Sequence, residues 1–353
     1  AVIAGTTSCD DFLDREPMSS ISPETYYSTA AQLEANLNDE YPNVLPSFGQ
    51  WTYGIFGEDK GTDNQIEVNA NDRYTQDRWK VPHSESDNWK FERIYRINFF
   101  LSEALPKFGE DMSGSQNTIS GSVATIKHYI GEMYFLRAYE YFKKLQLFGD
   151  FPIIDQPLAD EMEALREASK RFPRNEVARF IISDLDKAYA YMSDVDMATT
   201  RINKDAAMLV KSRVALFEAT WLQNFKGTAF VPGGEGWPGA SLHNNYQYPS
   251  GNIDNEVKYF LEQAVEASKL VADKYKGSLT ENTGVLQQSA DDPSNPYFDM
   301  FAQEDLSDVK EVLLWRQYAR GLSTHNINAA AGRGNYRIGL TRGFVQNFLM
   351  KDG

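Results

Sequence analysis

The side chains through which this chain could do acid–base or metal chemistry are few. The four histidines, His83, His128, His243 and His325, are scattered. They form no H-E-x-x-H motif and no pair four residues apart, so no zinc-hydrolase helix is encoded. His128 falls inside a helical pattern and is expected to be packed or hydrogen-bonded. No G-x-S-x-G elbow presents a nucleophilic serine. The G-R-G-N-Y-R run at 332–337 lacks the lysine of a phosphate-binding loop. Asp59 and Asp63 could serve as the acid and base of a glycosidase. With 50 acidic residues in the chain, however, such pairs arise by chance. The single cysteine, Cys9, excludes an internal disulfide and a C-x-x-C metal site. No catalytic residue, cofactor or metal is therefore expected.

What the chain does carry is rings and amides in loops. Residues 43–87 hold Trp51, Tyr53, Phe56, Tyr74 and Trp79 among Asp59, Asp63, Asn64, Asn71, Asp72, Arg73 and Asp77. A second stretch, 226–252, is rich in Gly, Pro and aromatics. Trp and Tyr rings can stack on the C–H faces of sugars, while Asp, Asn and Arg bond their hydroxyls. For any one ring, packing of the loop onto its scaffold is the simpler reading. The net charge of −15 offers no basic stripe to phosphates and argues against nucleic acid. No run is long enough to span a membrane. The small residues before Cys9 look like the tail of a lipoprotein signal, with a disordered end and an incidental thiol as the alternative.

The elements that must hold these loops are helices. Ser122 to Pro152 reads as one long helix, with Val123, Ile126, Ile130, Met133, Arg137, Tyr141 and Leu145 on one stripe. Gly149 is placed to end it, and Pro152 cannot continue it. Tyr134, Phe135, Tyr139 and Phe142 widen its apolar girth, so it should be covered on more than one side. Arg137, charged on an apolar stripe, demands a buried carboxylate or carbonyl partner. Before it, Ser22 should cap a first helix, with Pro23 at its first position and Leu33 and Leu37 on its face, ending near Tyr41-Pro42. Asn88–Leu105 is helical, and Pro106 turns the chain into the central helix. Asn175–Met192 and a helix capped by Asn203 follow, then a fifth long helix capped by Asp254.

These helices fall in pairs. An offset of 76 residues lays Met133, Arg137, Tyr141 and Leu145 on Leu209, Arg213, Phe217 and Trp221. The expectation is mainly α: a tetratricopeptide-like platform of helical hairpins with long irregular loops and few short strands. One strand is expected at V-K-E-V-L-L-W-R-Q-Y, 309–318.

The order of motifs is similar to one family. C-D-D-F-L-D-R-E-P (9–17), I-S-P-E-T-Y-Y (21–27), W-K-F-E-R-I-Y-R-I-N-F-F-L (89–101), M-Y-F-L-R-A-Y-E-Y-F-K-K-L-Q-L-F-G-D-F-P-I (133–153), R-F-P-R-N-E-V-A-R-F-I-I-S-D-L-D-K-A (171–188) and I-N-K-D-A-A-M-L-V-K-S-R-V-A-L-F-E-A (202–219) resemble, in register, the SusD/RagB-like outer-membrane nutrient-binding lipoproteins. The resemblance implies a non-catalytic cell-surface protein that binds starch-like or other glycans. It would pass them to a SusC-like TonB-dependent transporter. Residues 1–9 would be a signal remnant ending at Cys9, the lipidated residue that meets outer-membrane lipid. Residues 10–21 would be a tether, and 22–353 a single domain whose repeats span about 22–275, with inserted loops 43–87 and 226–252. Its loop-rich part, 276–353, would continue further in the family. Family sugar contacts come from the loop after the first helix and from the region after the repeats. The matching positions are Asp59, Asp63, Asn64, Arg73 and Trp79, then Trp237, Tyr246, Asn335 and Tyr336. A helical-array glycoside hydrolase or lyase, and a soluble tetratricopeptide-type adaptor binding peptides, are the alternatives from other functional classes.

Overall fold

A computed structural model of the chain describes residues 26–348 apart from 49–56, 58, 68–87, 110, 194–196, 287–288, 290, 322, 328 and 330–337. The helices are α1 (Ala30–Val44), α2 (Glu92–Phe108), α3 (Val123–Phe148), α4 (Met162–Ala168), α5 (Arg174–Tyr191), α6 (Lys204–Asn224), α7 (Ile253–Tyr275), α8 (Pro296–Met300) and α9 (Arg342–Gln346). The strands among the described residues are β1 (Gln65–Glu67) and β2 (Ile338–Leu340), paired antiparallel.

The long helices form a layered array: α3 packs on α1, α2 and α5, α5 on α6, and α6 on α7. The central helix begins and ends where its residues dictate. Ser122 accepts a hydrogen bond from the Thr125 N–H, and Gly149, at φ +68°, closes the C-terminus. Its 26 residues make a rod of about 39 Å. Ile126, Ile130, Met133, Phe135, Leu136, Tyr141 and Leu145 are all buried, so it is covered on more than one side, as its girth required. Gly131 sits where a Cβ would lie 2.8 Å from Met192 N and 2.9 Å from Ala188 O. Glycine there lets α3 and the end of α5 approach closely.

Arg137 finds the partners it needs. It is 3% exposed and grips Asp184 on α5 with Nε to Oδ2 at 2.6 Å and Nη2 to Oδ1 at 2.8 Å. Its Nη1 donates to Asn98 Oδ1 and to the Asp155 carbonyl, each at 2.9 Å. One guanidinium thus joins α2, α3, α5 and the segment after α3. Bonds from four of its five N–H donors, two of them to the Asp184 carboxylate, make the buried charge tolerable. His128 is also buried, with Nε2 3.0 Å from the Ile202 carbonyl and 3.1 Å from Glu132.

Several expectations change. The first helix starts at Ala30, capped by Thr29 with a reciprocal bond from Gln32, and runs to Val44 with Pro42 inside it. Tyr26 and Tyr27 are bends, and Ser22 and Pro23 lie outside the described residues. Pro106 likewise sits inside α2, which ends at Gly109. α7 is capped by Asn252; Asp254 is in its first turn, paired with Lys226. The 309–318 run forms no strand. Turns at Val309 and Val312 break it, and its backbone bonds singly to Thr199 and Asn203 rather than to a neighbouring strand.

The helical pairing holds, but its register does not. Leu209 is 44% exposed and Arg213 is exposed, whereas Met133 and Arg137 are buried. An offset of 81 residues lays Asn203 on Ser122, both N-caps, and Val214, Glu218 and Leu222 on Met133, Arg137 and Tyr141, all buried. The cap and the inward stripe move together because a helix is set by which face is buried. The equivalence of the two arginines was a coincidence of letters. Glu218 is the charged counterpart of Arg137, and it pairs with Arg174 at the start of α5.

Candidate functional site

Two loops leave this platform with rings and amides, and they end up in different situations. The first follows α1. Phe48 donates its backbone N–H to the Tyr318 hydroxyl at 2.8 Å. The rings of Phe48, Tyr318 and His325 cluster there, Tyr318 and His325 edge to face at 4.7 Å. Further along, Asp59 begins a turn: its carbonyl accepts from Thr62 N at 3.1 Å and from Thr62 Oγ1 at 2.7 Å. The chain then enters β1. Gln65 pairs with Leu340, Ile66 with Gly339 and Glu67 with Ile338. Thr341 extends this ladder by donating its N–H to the Asn64 carbonyl at 2.9 Å and its hydroxyl to the Asp63 carbonyl. The same hydroxyl accepts from Phe344 N at 3.1 Å and so caps α9.

Asp59 therefore lies between two anchor points on the segment 318–341, and Asp63 and Asn64 form the second of them. The bonds that Thr341 makes to Asp63 and Asn64 use their backbone carbonyls, and the side chains of Asp59 and Asp63 are exposed. An exposed carboxylate on a loop whose backbone is held can accept a sugar hydroxyl at little ordering cost. Asn335 and Tyr336 precede β2 by two to three residues in the sequence, but they, with Arg73, Trp79 and Cys9, lie outside the described residues.

The second loop, between α6 and α7, bonds its polar rings within the protein, while Phe230 is exposed. Trp237 is 5% exposed and donates Nε1–H to Asp150 Oδ2 at 2.7 Å. Its ring lies near His243 and Tyr246. Tyr246 and Asn175 exchange hydrogen bonds of 2.9 and 3.1 Å. Tyr248 donates to the Pro232 carbonyl at 2.6 Å, and His243 to the Arg171 carbonyl at 2.8 Å. Trp237 thus fastens the loop to Asp150 after α3 and Tyr246 fastens it to Asn175 on α5, and neither is brought beside Asp59, Asp63 and Asn64 by any described contact.

Asp150 is the link that sequence reading missed. Besides Trp237 it accepts from Arg174 N at 2.9 Å, so it supports the start of α5. Burial pushes its carboxyl above the usual range, and the bonds from Trp237 and Arg174 only partly offset that. Arg174 in turn lies over the Trp221 ring at 4.1 Å and pairs with Glu218. Glu256 closes the network. Burial raises its carboxyl, but bonds from Arg179, Asn175 and Ser250 outweigh this and hold it below the usual range. The signal for Asp150 was available in F-G-D-F-P, where a polar residue follows a helix-ending glycine. Tyr318 and Thr341 carried no local signal, since their partners are about 270 residues away.

Among the described residues no group of three or more His, Cys, Asp or Glu is placed to hold a metal ion, and no helix is long and apolar enough to cross a membrane.

Comparison with known proteins adds a family. A family model, SusD-like, described as starch-binding and associating with the outer membrane, matches residues 11–216. SusD-like protein P2 of Formosa agariphila is 26% identical over 235 residues, 63% of this chain and 43% of its own length. SusD-like protein P25 of the same organism is 25% identical over 233 residues, 61% of this chain and 41% of its own. The chain thus spans less than half the length of these curated relatives. Among solved structures, a SusD-like carbohydrate binding protein from Bacteroides fragilis aligns with a TM-score of 0.47 at 15% identity, covering 73% of this chain and 42% of that one. A SusD superfamily protein from Parabacteroides distasonis aligns with a TM-score of 0.46 at 20% identity, over 71% and 46%.

Proposed function

The chain belongs to the SusD-like family, and from that premise we propose that it is a non-catalytic, cell-surface glycan-binding protein that captures nutrient for a SusC-like TonB-dependent transporter. Acylated Cys9 anchors it in the outer membrane. Each buried methylene contributes about 0.8 kcal/mol, so two or more acyl chains give stable attachment. The ligand face is the loop after α1, with Asp59, Asp63 and Asn64 as hydroxyl-binding groups and Arg73, Trp79, Asn335 and Tyr336 completing it.

The observation that supports this face most is the pairing of β1 with β2. It joins the two stretches where the family resemblance expects sugar contacts, although they are far apart in the chain. Trp237 and Tyr246 stand apart from it, since their polar atoms are already bonded within the protein. A glycan array with the purified protein tests the reading. Binding of a glycan without its cleavage is the expected result; turnover at enzymatic rates would replace it with the glycosidase reading. Acylation is tested separately, by mass spectrometry of Cys9 in protein isolated from membranes.

A further inference from the structure

We propose that Thr341 and Tyr318 are positioning residues that hold the first loop at two points, Asp63–Asn64 and Phe48, and that Thr341 sets the conformation of Asp63 and Asn64. The inference rests on the ligand face assigned above only for its consequence in binding; the clamp itself stands on hydrogen bonds. Thr341 makes three bonds at one point. Its N–H binds the Asn64 carbonyl, its hydroxyl binds the Asp63 carbonyl, and the same oxygen accepts from Phe344 N. A hydroxyl is the group that can donate to a carbonyl and accept from a helix N–H at once. Ser preserves this chemistry and Val removes it while keeping the branched shape.

Tyr318 does the corresponding work at the other point. Its hydroxyl accepts from the Phe48 N–H where the chain has just left α1, and its ring packs against Phe48 and His325. Directly after the second of these points, β1 has only three residues of ladder. A strand pair that short is marginal by itself. Thr341 fixes the end of the pair that adjoins Asp63 and Asn64, and Tyr318 holds the chain where it leaves α1. With both in place, the carbonyls of Asp63 and Asn64 face β2, and their side chains remain for a ligand.

The test is hydrogen–deuterium exchange of the whole chain, wild type against Thr341→Val, Thr341→Ser and Tyr318→Phe, with α3 as the internal reference for intact folding. Thr341→Val should speed exchange across 61–67 by about fivefold, the factor expected when one net hydrogen bond is lost from a local opening. Thr341→Ser should stay near wild type. Tyr318→Phe, which keeps the ring, should speed exchange at 45–48 alone. Unchanged exchange in Thr341→Val, or equal acceleration in Thr341→Ser, overturns the clamp. In parallel, affinity electrophoresis in gels containing soluble starch or laminarin reads the consequence for binding. Retarded wild type with Thr341→Val released and Thr341→Ser still retarded supports positioning of the ligand loop. A Thr341→Val protein that opens at 61–67 yet is retarded like wild type overturns the role in binding. Wild type retarded by neither glycan, nor bound on an array, sinks the glycan reading, while the exchange data still decide the clamp.

Discussion

The loop after α1 and the loop between α6 and α7 have similar compositions and opposite fates. Both are irregular, aromatic and rich in amides. In the second, each ring with a polar atom has that atom bonded inside: Trp237 to Asp150, Tyr246 to Asn175, Tyr248 to Pro232, His243 to Arg171. In the first, the described bonds that fix the loop run through the backbone, the Phe48 N–H and the carbonyls of Asp63 and Asn64, and Asp59 and Asp63 are exposed. Among the described residues, what distinguishes the two is whether side-chain donors and acceptors are bonded within the protein. One loop is tied by its side chains to Asp150, Arg171 and Asn175; the other is held through its backbone at Phe48 and at Asp63–Asn64.

This contrast can be broken at several strengths. The largest effect is expected at Glu218→Ala, which strands the buried Arg174 guanidinium beneath the second loop. A loss of about 3–5 kcal/mol is expected, read by urea unfolding. Trp237→Ala comes next, at about 3 kcal/mol, because it empties a buried ring site and leaves Asp150 without its indole donor. If Trp237→Ala instead left stability unchanged, the second loop would not be tied as described. Glu256 gives a pH signature. Its folded carboxyl is harder to protonate than the unfolded one, whose ordinary value is 4.5. Its contribution is therefore present above that value and lost as pH falls through the depressed folded value. The stability gap between wild type and Glu256→Gln should be full at neutral pH and shrink on acidification below that range. A gap independent of pH would contradict the assignment. The smallest stability change is expected at Asp63→Asn and Asn64→Ala, within about 0.5 kcal/mol of wild type, since among the described residues neither side chain makes a hydrogen bond or ion pair.

Much of the platform was legible in the sequence, because burial imposes a period on it. Val123 to Leu145 revealed α3 through their spacing, and Val177, Ile181, Leu185 and Ala188 revealed α5; the latter four are all fully buried. Arg137's need for a partner followed from the cost of an unpaired buried charge, and Asp184 meets it. Helix ends were read less well. Thr29 rather than Ser22, and Asn252 rather than Asp254, do the capping, because several cap-forming residues stand near each start and only local geometry selects one. The repeat register failed for a related reason: matching Arg213 to Arg137 compared residue types, whereas the fold conserves which face is buried. In the candidate site, Asp59, Asp63 and Asn64 could be named from the family resemblance, as positions in the loop after the first helix. Tyr318 and Thr341 could not, because a hydrogen bond between residues about 270 positions apart leaves no local pattern.

The central claim is that ligand binding belongs to the first loop and not to the second. Isothermal titration of the glycan selected by an array, against Asn64→Ala and Tyr246→Phe, tests it directly. Tyr246→Phe removes one hydroxyl from the second loop and retains its ring. The account predicts at least a tenfold loss of affinity for Asn64→Ala, the order of one lost hydrogen bond to a ligand with its buried partner left unpaired, and affinity within about twofold of wild type for Tyr246→Phe. Loss of affinity in Tyr246→Phe with Asn64→Ala unaffected would place the ligand on the wrong loop and contradict it.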